Sequence, residues 1–190
     1  MIDRYVAIQA ILRRVEANDL VLSTTGMISR EVFVTDDRPA NFYMIGSMGL
    51  LSSFGLGLAL QSPDKRVYVL EGDGSALMSL GALPLIASER PTNLFHFILD
   101  NESYESTGAQ PSISSKLDLA EVAKSCGYAH VVRVEDIEGL EGALRDNETV
   151  PGPHLILAKV GIAPVKGIPR VSHTPTQIRD RFKAKVQSGS

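Results

Sequence analysis

Arg66-Val67-Tyr68-Val69-Leu70-Glu71-Gly72-Asp73-Gly74-Ser75 is the stretch that decides the fold. Residues 66–70 read as a β-strand, rich in β-branched and aromatic side chains. The strand runs into Gly72-Asp73-Gly74-Ser75, and a helix is expected from about Ser75 to Ser88, with Pro84 kinking or breaking it. An Asp between two glycines is poor core material. Glycines permit close backbone approach, Ser75 can cap the helix, and amides at a helix N-terminus attract anions. A carboxylate beside an anion site makes sense when a divalent cation lies between them. Asp73 then reads as a Mg2+ ligand and the helix start as a phosphate site. An ordinary strand-to-helix turn is the competing reading. The dinucleotide fingerprint fails, because its third glycine position is Leu77.

Working outward, strand-like and helix-like segments alternate. Strands are expected at 20–23, 42–45, 93–99, 130–134 and 155–160, and helices at 2–16, 50–60, 117–126 (stopping at Gly127) and 137–144. Residues 102–115 form a polar loop with no amphipathic period. This alternation predicts an α/β fold: a doubly wound, mostly parallel sheet of about six strands with helices on both faces. Residues 1–163 read as one domain, and 164–190 as a C-terminal tail with Pro164, Pro169 and Pro175 and a short charged helix near 177–186.

The strand at 93–99 ends at Asp100-Asn101-Glu102-Ser103-Tyr104. Asn101 lies 28 positions after Asp73, the length of one crossover helix and one strand, so the two can emerge from neighbouring parallel strands. Asp, Asn and a loop carbonyl are hard oxygen ligands suited to Mg2+. In open parallel sheets, ligands bind at such strand ends. An Asn-centred turn is the plain alternative.

Composition bounds the rest. The 190 residues carry 19 Lys and Arg against 22 Asp and Glu, a net charge of −3, which gives no general pull on nucleic acid or an anionic membrane. One cysteine, Cys126, excludes an internal disulfide framework and a cysteine-based metal cluster; before Gly127 it reads as buried packing. The richest apolar stretch, 48–60, is interrupted by serines and glycines and is shorter than the ~20 residues a membrane span needs. The N-terminus lacks signal-peptide features, so the expected location is the cytoplasm.

Gly72-Asp73-Gly74-Ser75 followed by Asn101 resembles the thiamine diphosphate motif, and Gly46-Ser47-Met48-Gly49 is similar to the stretch that holds the aminopyrimidine ring in that superfamily. With Thr24-Thr25-Gly26, Ser29-Arg30-Glu31, Ser106-Thr107-Gly108 and Gln110-Pro111, residues 20–115 resemble thiamine diphosphate-dependent decarboxylases, in particular the beta subunit of sulfopyruvate decarboxylase and the C-terminal half of phosphonopyruvate decarboxylase. A looser match runs to about 185. The resemblance implies thiamine diphosphate and Mg2+ as cofactors. It implies Asp73, Asn101 and the Ser103 carbonyl as metal ligands, and Gly72, Gly74 and Ser75 at the diphosphate, with Gly26 and Met27 nearby. It implies the Gly46 carbonyl, Ser47 and the Met48 amide at the pyrimidine, with the Met48 side chain bending the coenzyme. Tyr104, Ser106 and Thr107 would close over the site. The implied activity is decarboxylation of a 2-oxo acid: first 3-sulfopyruvate, giving sulfoacetaldehyde and CO2; second 3-phosphonopyruvate or the substrate of another two-subunit enzyme.

Such enzymes need a second domain that supplies a glutamate to the pyrimidine ring, and these 190 residues hold one domain. The resemblance therefore implies a separate pyrimidine-binding alpha subunit, with self-association to α2β2 or a multiple. The small-residue helix 50–60 suits that junction or burial within the domain. A reading of another class is a non-catalytic interaction subunit on the cofactor fold. Glu102 and Glu105 depart from the small residues, often Gly, expected there, and put two carboxylates near an anionic substrate. Arg30, Lys116 and Arg170 are candidate counter-charges, each otherwise a solvated surface charge. His96 reads as packed or half-exposed, and His173 as a tail residue with a lesser claim to the site.

Overall fold

A computed structural model of the chain describes residues 1–162 and 167–188. The elements, in order, are α1 (Arg4–Leu12), β1 (Leu20–Ser23), α2 (Met27–Thr35), β2 (Asn41–Tyr43), α3 (Leu51–Gln61), β3 (Val67–Gly72), α4 (Asp73–Met78), α5 (Ala82–Glu89), β4 (Leu94–Asp100), a ribbon of β5 (Ser103–Tyr104) and β6 (Gln110–Pro111), α6 (Leu119–Cys126), β7 (His130–Val134), α7 (Ile137–Asn147), β8 (His154–Lys159) and α8 (Pro175–Gln187). Six parallel strands form one sheet in the order β2-β1-β3-β4-β8-β7. The order reverses at β1 and β3, as in doubly wound sheets.

Strand side chains alternate between two apolar layers. Tyr68 and Leu70 of β3, with Phe95, Phe97 and Leu99 of β4, pack under α1, α2 and α7. Val67 and Val69, with Leu94 and Ile98, pack under α3, α4, α5 and α6. The central strands are buried on both faces, which is why they read as continuous apolar runs. Local signals set the helix ends. Asp118 caps α6 by accepting from the Ala120 and Glu121 amides, and Gly127 ends it in the left-handed region. Thr174 and Gln177 form a capping box at α8, with Pro175 in its first turn.

Three local differences have physical reasons. Helix α2 carries no assignment in the sequence reading, because Val32, Val34 and Thr35 are β-branched; the structure makes it a helix that buries Ile28, Glu31 and Val32. The helix expected over 75–88 is two helices that break at 79–81. Pro84 causes no break, because it lies in the first turn of α5, where an amide has no partner to lose. The loop 102–115 contains the β5/β6 ribbon and two 3-10 turns.

The charged helix expected in the tail is α8, whose Ile178 and Phe182 are buried in the two layers. The expected boundary at 163 and Pro164 lie outside the described residues. Among the described residues, no helix is long and apolar enough to cross a membrane.

Candidate active site at the tips of β3 and β4

The register pairs Gly72 of β3 with Leu99 of β4, so the residues that follow, Asp73 and Asp100-Asn101, leave the sheet side by side. Asp73 is 1% exposed. Its carboxylate accepts from the hydroxyls of Ser112 and Ser114 (3.1 Å for Ser114) and from the backbone amide of Asn101. Burial first, and then the charge of Asp100, hold this carboxyl above the usual carboxylate range against those bonds. Asp100 has a cation of its own, because Lys159 Nζ reaches its Oδ2 at 2.8 Å. Asp73 has none.

A cavity of about 60 Å3 opens at these tips. It is lined by Gly26, Met27, Met48, Gly72, Asp73, Gly74, Ser75, Asn101, Ser103, Tyr104 and Ser106 of the expected site, together with Arg4, Thr24, Thr25, Ile28, Leu99 and Glu105. Of the expected residues, Gly46, Ser47 and Thr107 do not line it. Gly46 and Ser47 are exposed beside it, and Thr107 is bonded to Gln110 and the Tyr104 carbonyl. Small-molecule pockets enclose roughly 300–1,000 Å3, so this one has walls for only part of such a ligand.

The donors converge from separate elements. Gly26 opens α2 at φ +96° with no side-chain cap, which leaves the first-turn amides of that nine-residue helix bare toward the cavity. Gly74 lets the Tyr104 ring and the Met48 methyl close in. A Cβ there would sit 2.6 Å from the ring and 3.2 Å from Met48 Cε. Ser103 Oγ is buried with no hydrogen-bond partner. A bare buried hydroxyl, bare amides, and the carboxylate and amide oxygens of Asp73 and Asn101 form a donor set suited to a hard cation bridged to an anion.

The hydroxyl of Ser75 is already committed. It donates to Glu71 Oε2 at 2.6 Å and accepts from the Gly49 amide at 3.2 Å and from Thr24 at 3.3 Å. Its backbone amide, at the start of α4, is what remains to meet an anion. Glu71 in turn takes His96 Nε2 at 2.7 Å, and His96 Nδ1 meets the Tyr128 hydroxyl at 3.0 Å. His96 is fully buried in this chain of bonds and does not reach the cavity. The Ser75 end ties the Met48 loop to the turn after β3.

The two loop carboxylates separate. Glu102 stands at φ +57°, a backbone where glycine is the low-strain residue, and turns away to Lys159 Nζ at 2.5 Å. Glu105 turns inward and bonds Arg4 and Asn101 Nδ2. The cation in the cavity wall is Arg4, not Arg30, Lys116 or Arg170, none of which lines it. Lys116 and Arg170 are exposed, and His173 packs on Phe33 while bonding Asp37. Cys126 is half-buried and packs against the second layer. Arg4 and Glu31 were missed, although each falls on the apolar stripe of its helix: Arg4 with Ile8 and Ile11, Glu31 with Ile28 and Val32. A charge on a buried stripe is the signal that pairs them.

Comparison with known proteins agrees with this geometry. The model of the thiamine pyrophosphate enzyme C-terminal TPP binding domain matches residues 24–158. A phosphonopyruvate decarboxylase of Streptomyces viridochromogenes is 39% identical over 183 residues, 96% of this chain and 46% of that protein. The chain thus spans about half the length of that relative. A sulfopyruvate decarboxylase subunit beta of Methanothermobacter thermautotrophicus is 40% identical over 191 residues, covering 100% of this chain and 98% of that protein. The fold is also that of a Mycobacterium smegmatis protein described as a thiamin diphosphate-dependent enzyme, with a TM-score of 0.73 at 19% identity over 85% of this chain and 32% of that one. With a family model spanning the sheet from the tip of β1 into β8, and a relative of this length matched end to end, the chain belongs to the thiamine pyrophosphate enzymes, as a domain of their C-terminal, TPP-binding type.

Proposed function

We propose that this chain is the diphosphate- and Mg2+-binding beta subunit of a 2-oxo acid decarboxylase, acting with a separate pyrimidine-binding alpha subunit. The observation that carries the reading is the meeting of Asp73 and Asn101 on one cavity beside the bare amides of α2. The residues present fit the implied groups. Asp73, Asn101 and the Ser103 carbonyl are the oxygen donors for Mg2+, and the buried, partnerless Ser103 hydroxyl lies in the same wall. The amides at Gly26-Met27 and Gly74-Ser75 are donors for a diphosphate. Met48 lines the cavity as an apolar support, with Gly46 exposed two residues before it. Tyr104, Ser106 and Thr107, on the loop that carries the metal ligands, are placed to exclude water once the site is filled.

Thiamine diphosphate, when bound, supplies the electron sink that lets a 2-oxo acid lose its carboxylate as CO2. The rest of the reaction space has to come from outside this domain. Ile45, Leu50 and Met78, at the two ends of the Met48 loop and against Gly49, are large apolar side chains left exposed. Exposed apolar side chains next to the Met48 loop support a partner seated there. Sulfopyruvate is the first substrate, because the relatives matched over their whole length are named sulfopyruvate decarboxylase subunit beta.

The test is a titration of Mg2+ and thiamine diphosphate into this chain mixed with the pyrimidine-binding subunit, followed by CO2 release from sulfopyruvate and phosphonopyruvate. Mg2+-dependent coenzyme binding with turnover of sulfopyruvate is the expected result. Absence of Mg2+-dependent binding overturns the reading in favour of an interaction subunit. Preference for phosphonopyruvate overturns the substrate.

A further inference from the structure

Arg4 lies where a cation is costly. It is 3% exposed, at the start of the first helix, and it faces the cavity across 27 residues of chain from Glu31 and 101 from Glu105. Glu31, fully buried, takes Nε and Nη2 at 2.8 Å each, so this carboxylate alone neutralises the guanidinium in a two-pronged bond. Glu105, also in the cavity wall, takes the outer donors, Nη1 and, at 3.4 Å, Nη2. Glu105 is thus one carboxylate more than Arg4 needs, in a wall that already holds the buried carboxylate of Asp73. It does not arrive on a rigid element. It begins a 3-10 turn on the loop between β5 and β6, a loop entered at Glu102 and left at Gly108-Ala109 with positive φ. Its carboxylate also holds Asn101 Nδ2 at 3.2 Å, so it spans an anion-binding cation and an expected metal ligand.

We propose that Arg4 Nη1 is a ligand for the terminal phosphate of the diphosphate that this cavity takes, and that Glu105 is a built-in stand-in for that anion, displaced when the site fills. This rests on the diphosphate reading above. A second anion added beside Glu105 would face its charge at short range in a half-closed, partly desolvated cavity; an anion that replaces Glu105 inherits its bonds. Displacement releases Asn101 Nδ2, while Asn101 Oδ1 stays oriented by the Ser103 backbone amide, which donates to it at 3.1 Å. Glu31 keeps the guanidinium aimed throughout. The extra carboxylate therefore costs affinity and gives control: the loop carrying Tyr104 and Ser106 is latched while the site is empty and free to reclose over bound ligand.

The experiment is calorimetric titration of the full-length chain with inorganic pyrophosphate in Mg2+, which needs no turnover and no partner. E105Q removes the stand-in charge and is expected to tighten binding about three- to tenfold, as when a competent state populated roughly a third to a tenth of the time becomes dominant. R4Q/E31Q removes the cation together with its neutralising partner, so that Glu31 is not left as a fully buried charge without a counter-ion. It is expected to weaken binding at least tenfold, and adding E105Q to it should bring no gain. Without ligand, hydrogen exchange over residues 101–111 should be faster in E105Q than in the wild type, because the latch is gone. If E105Q instead weakens binding as R4Q/E31Q does, or changes nothing, the Arg4–Glu105 pair is only a brace and the proposal is overturned while the site reading stands. If the wild-type chain shows no Mg2+-dependent pyrophosphate binding, both fall.

Discussion

Asp73→Asn should make the ligand-free protein more stable while destroying its metal site. Among the described residues, Asp73 is buried with hydroxyl and amide donors but no cation, and Asp100 stands beside it across Ser114, whose hydroxyl lies 3.1 Å from one carboxylate and 2.8 Å from the other. A single hydroxyl proton serves only one of them. An asparagine keeps the shape and an acceptor for Ser112 and the Asn101 amide. It removes the buried charge, while its Oδ1 stays the common acceptor for the Ser112 and Ser114 hydroxyls. Relieving a destabilised active-site group of this kind yields ~0.5–2 kcal/mol. For a chain of this length each kcal/mol is worth about 2–4 °C, so the melting temperature in the presence of a chelator should rise by ~1–8 °C. Loss of the charged ligand should cut Mg2+-dependent coenzyme binding by about 100-fold or more, since even outer partners of a metal site cost 10–100-fold when removed. The assay is thermal unfolding of both proteins with chelator and then with Mg2+ plus thiamine diphosphate. The wild type should be stabilised by the ligands and the variant should not. A variant that melts below the wild type in chelator would refute the electrostatic argument. A variant that keeps a full Mg2+-dependent shift would refute Asp73 as a ligand.

Two further outcomes follow from packing and from charge. Gly55→Ala on α3 puts a Cβ 2.4 Å from Val69 Cγ2. Overpacking of ~1–3 kcal/mol should outweigh the ~1 kcal/mol gain in helix propensity, and in the Val69→Ala background the same change should turn neutral or stabilising. Urea unfolding of the four proteins checks this, and additive effects would contradict the packing. At the other end of the sheet, Asp37 is the anchor of α8. Burial opposes its charge, but bonds from His173, Tyr43 and Arg181 together hold the carboxyl below its ordinary value of 3.8. A depressed folded value means the contribution is present above 3.8 and is lost as pH falls through the folded value. Amides of α8 should therefore lose hydrogen-exchange protection relative to β4 between pH 5 and pH 3, and D37N should show the loss already at pH 5. Equal pH dependence in the variant would exclude Asp37 as the cause.

The parts legible in the sequence are those fixed by local chemistry. The strand run 66–70, the Gly-Asp-Gly-Ser turn, the Asp118 and Gly127 helix ends and the 28-residue step from Asp73 to Asn101 each carry their signal within a short window. What stayed hidden depends on contacts between distant residues. No window shows that Ser112 and Ser114 return 39 and 41 positions to hold Asp73, that Glu102 and Glu105 diverge to opposite partners, or that the Ser75 hydroxyl is already donated to Glu71. Helix α2 was masked by its own β-branched residues, whose helical state is set by burial against the sheet.

The placement of β8 between β4 and β7 bears on how the protein is made. As the nascent chain leaves the ribosome, β4 and β7 both precede their shared neighbour, so each waits with an open edge until residues 154–159 arrive. The same late strand brings Lys159, the counter-ion of Asp100, so the acidic pole is balanced only when the sheet zips shut. Translation stalled before that point leaves an adhesive edge and an unneutralised charge together, a species for chaperones to hold or proteases to clear.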